Sequence, residues 1–314
     1  MIKKVLFIDS VHPILEERLT KLGVVCEHDY QSPKAAIEAK ISNYDGVVIR
    51  SRFTLDNTFF DAATNLKFIA RSGAGLENID VAYAEKVGVK IIHSPEGNMD
   101  AVGEHSIGAL LMLFNQLKKG DAEVRKGIWD REGNRGLELS GKTVGIIGFG
   151  FMGSSFAKKL MGFDCTILAY DKYKTGFGTP QFQEVSLEEL KAKSDIISIH
   201  LPLTTETHYY VNADFINSCT KPFYLINTAR GNQVKTADLV KALKSGKILG
   251  ACLDVLEYET KSFETISAAQ LPEDFVYLTQ SEKVVLSPHV AGWTVESYIK
   301  LSSVLADKIE TTYF

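Results

Sequence analysis

Short runs of aliphatic and β-branched residues alternate with amphipathic stretches from one end of the chain to the other, and this alternation narrows the possible folds more than any other feature. Val5–Ile8, Gly46–Ile49, Leu66–Ala70 and Val89–Ile92 read as strands, separated by stretches of helical character such as Pro13–Leu22 and Pro33–Lys40. A second series follows at Thr143–Ile147, Thr166–Tyr170, Asp195–Ile199, Phe223–Ile226, Ile248–Leu253 and Val284–Leu286. Strand–helix–strand order of this kind builds parallel sheets with helices on their faces. The expected class is therefore α/β, with two doubly wound parallel-sheet domains, the six strands of the second series matching one such sheet.

Between the two series, Val102, Ser106, Ala109, Leu110, Leu113 and Leu117 fall at helical spacing and end in Lys118-Lys119-Gly120, so one long helix is expected over 101–119. Residues 121–140, rich in glycine and charge, read as an irregular arm. Residues 294–313 read as a final helix, and 257–283 as a polar interval poor in strands.

The whole-chain arithmetic excludes several classes. A length of 314 residues suggests two domains. With 35 Lys+Arg against 39 Asp+Glu and no long basic run, the chain carries no electrostatic footprint for nucleic acid. Its longest apolar stretch, Ile107–Phe114, falls far short of the ~20 residues that cross a bilayer. Neither nucleic acid nor membrane is expected as a partner. Cys26, Cys165, Cys219 and Cys252 are scattered without CxxC pairing, which fits reduced thiols in a cytoplasm. The start Met1-Ile2-Lys3-Lys4 is followed by an apolar run that stops at Asp9, so it reads as a first strand and not as a signal peptide.

The sharpest local signal is Gly148-Phe149-Gly150-Phe151-Met152-Gly153, placed directly after one strand and before a helical run through Leu160. Glycines at this spacing allow a tight turn, close approach of a pyrophosphate and close helix packing, while the helix start offers unpaired N–H groups to the phosphates. The next strand ends in Asp171, 18 residues past Gly153, where a carboxylate can accept from ribose hydroxyls and repel a 2′-phosphate. A dinucleotide, NAD, is the expected cofactor. About 140 residues precede this motif, room for a separate domain.

In that domain the loop Ser72-Gly73-Ala74-Gly75-Leu76 follows a strand, and successive small residues there can turn several N–H groups onto a carboxylate, although a plain tight turn reads nearly as well. Downstream, Arg230, Glu259 and His289 each follow a strand of the second series, the end at which doubly wound sheets bind ligands. A histidine is the default proton donor or acceptor near neutral pH, a carboxylate fixes its tautomer, and an arginine pairs with a carboxylate substrate. Spacing alone does not bring the three together. No metal-ligand pattern such as HExxH is present, and no metal is expected.

Taken in order, Ser72-Gly73-Ala74-Gly75-Leu76-Glu77-Asn78-Ile79-Asp80, Ala101-Val102-Gly103-Glu104-His105, Gly148 to Gly153, His200-Leu201-Pro202-Leu203-Thr204, Asn227-Thr228-Ala229-Arg230-Gly231, Leu253-Asp254-Val255 with Glu259, and Ser287-Pro288-His289-Val290-Ala291-Gly292 resemble the NAD-dependent D-isomer-specific 2-hydroxyacid dehydrogenases, which include phosphoglycerate dehydrogenase. The resemblance covers essentially the whole chain. It implies a Rossmann NAD-binding domain, 101–290, inserted into a flavodoxin-like substrate domain, 1–100 completed by 291–314, with the two crossings forming a hinge. It implies Arg230, Glu259 and His289 as catalytic residues. For the cofactor it implies Gly148, Gly150, Phe151, Met152, Gly153, Asp171, His200, Pro202, Thr228, Ala229, Asp254 and Gly292, and for the substrate Arg50, Ser72, Gly73, Ala74, Gly75 and Arg131.

The implied reaction is hydride transfer between nicotinamide and C2 of a D-2-hydroxy or 2-oxo acid, with Arg230 gripping the carboxylate and His289 moving the proton. The expected substrate pair is 3-phosphoglycerate and 3-phosphohydroxypyruvate, as in serine biosynthesis, because Arg50, Arg52 and Arg71 lie at strand ends beside the Ser72–Leu76 loop. Gly127-Ile128-Trp129-Asp130-Arg131 resembles an arm that presents an arginine to phosphate across a dimer. A homodimer through 101–140 is expected accordingly. The alternatives are a glyoxylate or hydroxypyruvate reductase and, from another class, an NAD(H)-sensing interaction protein without turnover, which the retained Arg, Glu and His disfavour. The chain departs from the family pattern at Thr260, where most relatives carry a proline, and in a long interval from Glu259 to His289. No C-terminal regulatory domain is expected.

Overall fold

The structure, a computed structural model, describes residues 2–259 and 272–314, which form two compact units. One takes in the residues up to Met99 together with Trp293–Phe314, and the other Asp100–Glu259 together with 272–292.

The first unit is built on β1 (Lys4–Phe7), β2 (Val25–His28), β3 (Gly46–Ile49), β4 (Phe68–Arg71) and β5 (Lys90–His93). All pair in parallel, in the order β2-β1-β3-β4-β5. Successive side chains leave a strand on opposite faces. Leu6, Val47, Ile49 and Ile69 accordingly enter one core, and Val5, Phe7, Val48 and Phe68 enter the other. The second core is closed by Leu305, Ala306 and Ile309 of the last helix, Val295–Tyr313. That helix starts on a reciprocal cap, Ser297 N–H donating to Thr294 Oγ1 at 3.0 Å and Thr294 N–H to Ser297 Oγ at 2.8 Å. Arg18 fastens it from the first helix, donating to Asp307 at 2.7 Å and to Glu310 at 2.8 Å. Strand β2 has no counterpart in the sequence reading. It is an edge strand with Val25 56% exposed, so it lacks the apolar run that betrays a central strand.

The second unit contains β6 (Thr143–Ile147), β7 (Thr166–Tyr170), β8 (Gln183–Glu184), β9 (Ile196–Ile199), β10 (Phe223–Asn227), β11 (Ile248–Leu253) and β12 (Val284–Leu286). The order is β12-β11-β10-β9-β6-β7-β8, all parallel, so that β8-β7-β6-β9-β10-β11 reproduces the Rossmann sequence of strands. Both sheets are thus doubly wound. Only β8 was not foreseen, being two exposed residues at the edge.

Two expectations are corrected. The helix expected over 101–119 is broken: one helix runs Met99–Phe114 and a second Leu117–Val124. Gln116 sits at φ +50°, Asn115 Nδ2 donates to Leu111 O at 3.1 Å, and Leu137 N–H takes Phe114 O at 2.9 Å, so the last turn is capped by the returning chain. The arm therefore begins after Val124 and not at residue 121. Apolar spacing runs through such a break unchanged, which hides it from periodicity. Within the polar interval, Glu273–Gln280 is a helix that buries Phe275 and Leu278. Thr260 lies outside the described residues.

Candidate active site

The second sheet reverses its winding between β6 and β9, and the glycine-rich loop leaves β6 at that point. Gly148 has φ +92°, and a Cβ on it would lie 2.6 Å from His200 O. A Cβ on Gly153 would lie 2.0 Å from Gly148 O, so the helix Phe151–Leu160 can seat on the loop only with hydrogen there. Around Gly150, by contrast, nothing comes within 4 Å of such a Cβ, and this helix start has no side-chain cap. Two glycines are consumed by packing and the middle one is open, which fits a pyrophosphate on the helix N-terminus.

Asp171 ends β7 with one carboxylate oxygen accepting from Phe149 N–H at 2.8 Å and the other from Tyr173 N–H at 2.9 Å and Lys174 N–H at 3.1 Å. The loop and this carboxylate are thereby held as one piece. The nearby lysines are engaged elsewhere, Lys172 with Glu206 and Lys174 with Phe149 O at 3.3 Å. Loop and carboxylate together fit NAD, whose nicotinamide supplies the hydride acceptor or donor when bound. The His200 side chain is turned into the core. Its ring is buried beside Phe156 and shares a 2.8 Å hydrogen bond with Ser198 Oγ, and burial pushes its pKa down to about 3. Its part in the loop is the backbone carbonyl packed against Gly148.

Arg230, Glu259 and His289 stand beyond the carboxyl ends of the adjacent strands β10, β11 and β12. Glu259 is stretched between two donors, Leu256 N–H to Oε1 at 2.5 Å and His289 Nδ1 to Oε2 at 2.6 Å. The carboxylate accepts, so Nδ1 carries a proton and Nε2 is the nitrogen able to accept one. His289 itself lies in the left-handed region at φ +55°, a conformation costing a branched or ring-bearing residue roughly 1–3 kcal/mol unless its surroundings enforce it. The enforcement comes from Asp254, 3% exposed. Its backbone O accepts from His289 N–H at 2.8 Å, while its carboxylate accepts from Ser287 Oγ at 2.6 Å, Val290 N–H at 2.9 Å and Ala291 N–H at 2.8 Å. Asp254 thus grips both sides of the histidine turn. His105 extends the group, its Nε2 2.9 Å from Ser287 Oγ.

Arg230 is set by a different pair of buried amides. Asn227 Nδ2 donates to Arg230 O at 2.9 Å and its Oδ1 accepts from Ala229 N–H at 3.0 Å. Gln233 accepts from Arg230 N–H at 3.3 Å and donates to Leu201 O at 2.9 Å and Pro202 O at 3.0 Å, stitching this loop to the one after β9. A Cβ on Gly231 would fall 2.0 Å from the Leu256 carbonyl carbon, so the arginine loop lies flat against the turn that carries Glu259. Thr228 Oγ1 lies 3.3 Å from Ser106 Oγ. Asn227, Gln233, Ser287 and His105 were not assigned a role from sequence. They surround the assigned residues in chain and space, but nothing in an amide or hydroxyl alone distinguishes a brace from a surface group.

In the first unit, the Ser72–Leu76 loop follows β4. Its carbonyls are tied back, Gly73 O by Ser94 N–H at 3.0 Å and Ala74 O by His93 Nδ1 at 2.8 Å. Among the described residues, no acceptor takes the N–H groups of Ala74, Gly75 or Leu76. Carbonyls pinned and amides open is the arrangement an anion cradle requires. The three arginines expected to serve phosphate separate here. Arg52 is spent on main-chain carbonyls, donating to Ile8 O at 3.0 Å, Asp29 O at 2.5 Å and Ser32 O at 2.6 Å, and is structural. Arg71 lays its guanidinium across Gly73. Arg50 has its guanidinium 4.3 Å from the Trp293 ring centroid. In the second unit Arg131 is exposed, next to Trp129 at 78% exposure. No cluster of metal-ligating side chains and no helix long and apolar enough to cross a membrane occurs among the described residues.

A family model described as D-isomer specific 2-hydroxyacid dehydrogenase, NAD binding domain, matches residues 107–291. The glyoxylate reductase of Thermofilum pendens is 37% identical over 285 residues, which cover 88% of this chain and 81% of that protein. The hydroxypyruvate reductase of Thermotoga maritima is 34% identical over 92% of this chain and 90% of its own length. The D-3-phosphoglycerate dehydrogenase of Archaeoglobus fulgidus is 32% identical over 95% of this chain, which spans only 55% of that relative. Among solved structures, D-lactate dehydrogenase from Aquifex aeolicus, complexed with NAD and lactic acid, aligns with a TM-score of 0.81 at 27% identity, covering 98% of this chain and 95% of that one.

Proposed function

Because the chain belongs to the D-isomer specific 2-hydroxyacid dehydrogenase family, whose members are NAD-dependent oxidoreductases, we infer that His289 is its proton-transfer residue, Glu259 the group that orients it and Arg230 the cation for the substrate carboxylate. The observation that carries this is the 2.6 Å contact of His289 Nδ1 with Glu259 at the carboxyl ends of neighbouring strands. In reduction His289 protonates the alkoxide forming at C2, and in oxidation its Nε2 takes the hydroxyl proton. The open amides of the Ser72–Leu76 loop bind a carboxylate. Replacement His289→Ala is expected to depress kcat with NADH affinity nearly intact, whereas Arg230→Ala also raises KM for the 2-oxo acid. A histidine variant with wild-type kcat would refute the assignment.

For the substrate, the proposal is the pair 3-phosphoglycerate and 3-phosphohydroxypyruvate, supported by Arg50 beside the cradle loop and by Arg131 on an exposed arm. The competing reading is reduction of glyoxylate or hydroxypyruvate, favoured by Arg52 being spent on carbonyls and by the relatives of those names. Initial rates of NADH oxidation with 3-phosphohydroxypyruvate and hydroxypyruvate, in wild type and Arg131→Ala, separate them. Equal kcat/KM for both in the wild type selects the reductase. A homodimer is proposed as well, through an exposed apolar strip of Leu117, Val124, Ile128, Trp129 and Leu137, since the preceding helix turns most of its apolar side into its own sheet. Light scattering that gives only the monomer mass at micromolar concentration would exclude it.

A further inference from the structure

The winding of the first sheet reverses between β1 and β3, the point at which an open parallel sheet leaves a crevice at its carboxyl ends. Three features meet there. Asp9, just past β1, accepts the N–H groups of Arg50 at 2.6 Å, Ser51 at 3.0 Å and Arg52 at 3.2 Å, which locks the turn that follows β3. Asn78 Nδ2 adds a 3.4 Å contact to Arg50 O. The two arginines of this locked turn then diverge. Arg52 spends its donors on three carbonyls, whereas among the described residues no hydrogen bond or ion pair engages the Arg50 guanidinium. Its guanidinium carbon instead lies over the Trp293 ring, 4.3 Å from the centroid. Trp293 leans on Tyr298 at 6.2 Å, and Tyr298 on the edge of His12 at 5.4 Å, whose N–H is held by Ser302 Oγ at 3.1 Å.

Stacking on an indole covers the flat face of a guanidinium and leaves its in-plane N–H fork outward, the geometry that pairs with two oxygens of a phosphate or carboxylate. Strand pairing roots Arg50 and the cradle loop side by side on neighbouring strands, since Ile49 of β3 is in register with Arg71 of β4 and Ser72 N–H donates to Ile49 O at 2.9 Å. We propose that Trp293 is a specificity-determining residue, a platform that presents Arg50 to an anionic group at the far end of a 2-oxo or 2-hydroxy acid. The inference rests on the reading of the Ser72–Leu76 loop as the carboxylate cradle.

The chain has two tryptophans, so Trp129→Phe leaves Trp293 as the sole indole reporter. In that background, 3-phosphoglycerate is expected to change the Trp293 emission, D-glycerate to do so only at much higher concentration, and Arg50→Gln to weaken the phosphoglycerate response roughly 10- to 100-fold. This readout needs no turnover. If emission responds but no 2-oxo acid oxidises NADH, the dehydrogenase reading fails and the subsite stands. In kinetics, Trp293→Ser is expected to lower the kcat/KM ratio of 3-phosphohydroxypyruvate over hydroxypyruvate about fivefold, mostly through KM. Trp293→Phe should retain the ratio, and Trp293→Ser combined with Arg50→Gln should be no worse than Arg50→Gln alone. Any one of three results overturns the proposal: equal loss on both substrates, additive losses in the double variant, or an indole emission blind to phosphoglycerate.

Discussion

Replacing Glu259 with glutamine tests the active-site geometry most directly, because it changes two atoms and keeps the shape. The carboxylate now serves Leu256 N–H at 2.5 Å and His289 Nδ1 at 2.6 Å, with the Glu259 side chain 14% and the His289 side chain 23% exposed. A glutamine can accept only through its one oxygen. The Leu256 donor is backbone and cannot turn away, so the amide oxygen stays on it and the NH₂ faces His289. Two donors cannot oppose one another, and the neutral imidazole must move its proton to Nε2. That nitrogen can then no longer take the hydroxyl proton of a 2-hydroxy acid. Loss of a hydrogen bond to a charged group is worth about 1.5–3 kcal/mol, or about one to two decades in the population of the competent tautomer. Since a positioned base contributes ~10²–10⁴-fold, kcat for oxidation is expected to fall about 10²- to 10³-fold. NADH affinity, read by fluorescence titration, should stay within about twofold. Glu259→Asp, shorter by about 1.5 Å, cannot span both donors and should be intermediate. If Glu259→Gln oxidised its 2-hydroxy acid within threefold of wild type, the role given to the Glu259–His289 contact would be wrong.

The packing of the nucleotide loop makes Gly153→Ala a severe change, since the added methyl meets Gly148 O at 2.0 Å. A cost of about 1–3 kcal/mol in the urea midpoint and at least tenfold weaker NAD binding by calorimetry are expected, and wild-type binding would show that the helix can slide. With Lys172 and Lys174 both engaged, Asp171 is left to select against a 2′-phosphate. Asp171→Ser should raise the NADPH to NADH ratio of kcat/KM at least tenfold, and a wild type preferring NADPH would contradict the assignment. Cys252 is 2% exposed and burial pushes its thiol up to about 12, against about 8.5 in an unfolded chain. The folded state therefore holds its proton longer than the unfolded state, and the stabilisation is complete below about pH 8.5 and is lost as pH rises toward 12. At pH 10 this amounts to about 2 kcal/mol, so Cys252→Ala should show a flatter decline in urea midpoint between pH 8 and 10 than wild type, and parallel declines would exclude the thiol as the cause.

The two sheets were legible because a strand buried on both faces must be apolar over four to six consecutive residues, a local requirement that composition records directly. The glycine loop was legible for a related reason, as positive φ at Gly148 and close backbone contact at Gly148 and Gly153 are demands on single positions. The edge strands β2 and β8 were not, since exposure relaxes the same requirement. Neither was the break at Gln116, which the apolar spacing crosses undisturbed. Nothing in the spacing of Arg230, Glu259 and His289 brings them together. Family resemblance grouped them, whereas the order of β10, β11 and β12 in one parallel sheet is what places them side by side. Tertiary structure also decided between neighbours of identical chemistry. Arg50 and Arg52 are the same residue two positions apart, yet one turns inward to three carbonyls and the other outward onto an indole from the far end of the chain. A side chain's charge is written in the sequence, but whether that charge is spent on the fold or left for a ligand depends on which acceptors lie within hydrogen-bonding distance, and those are supplied by residues remote in the chain.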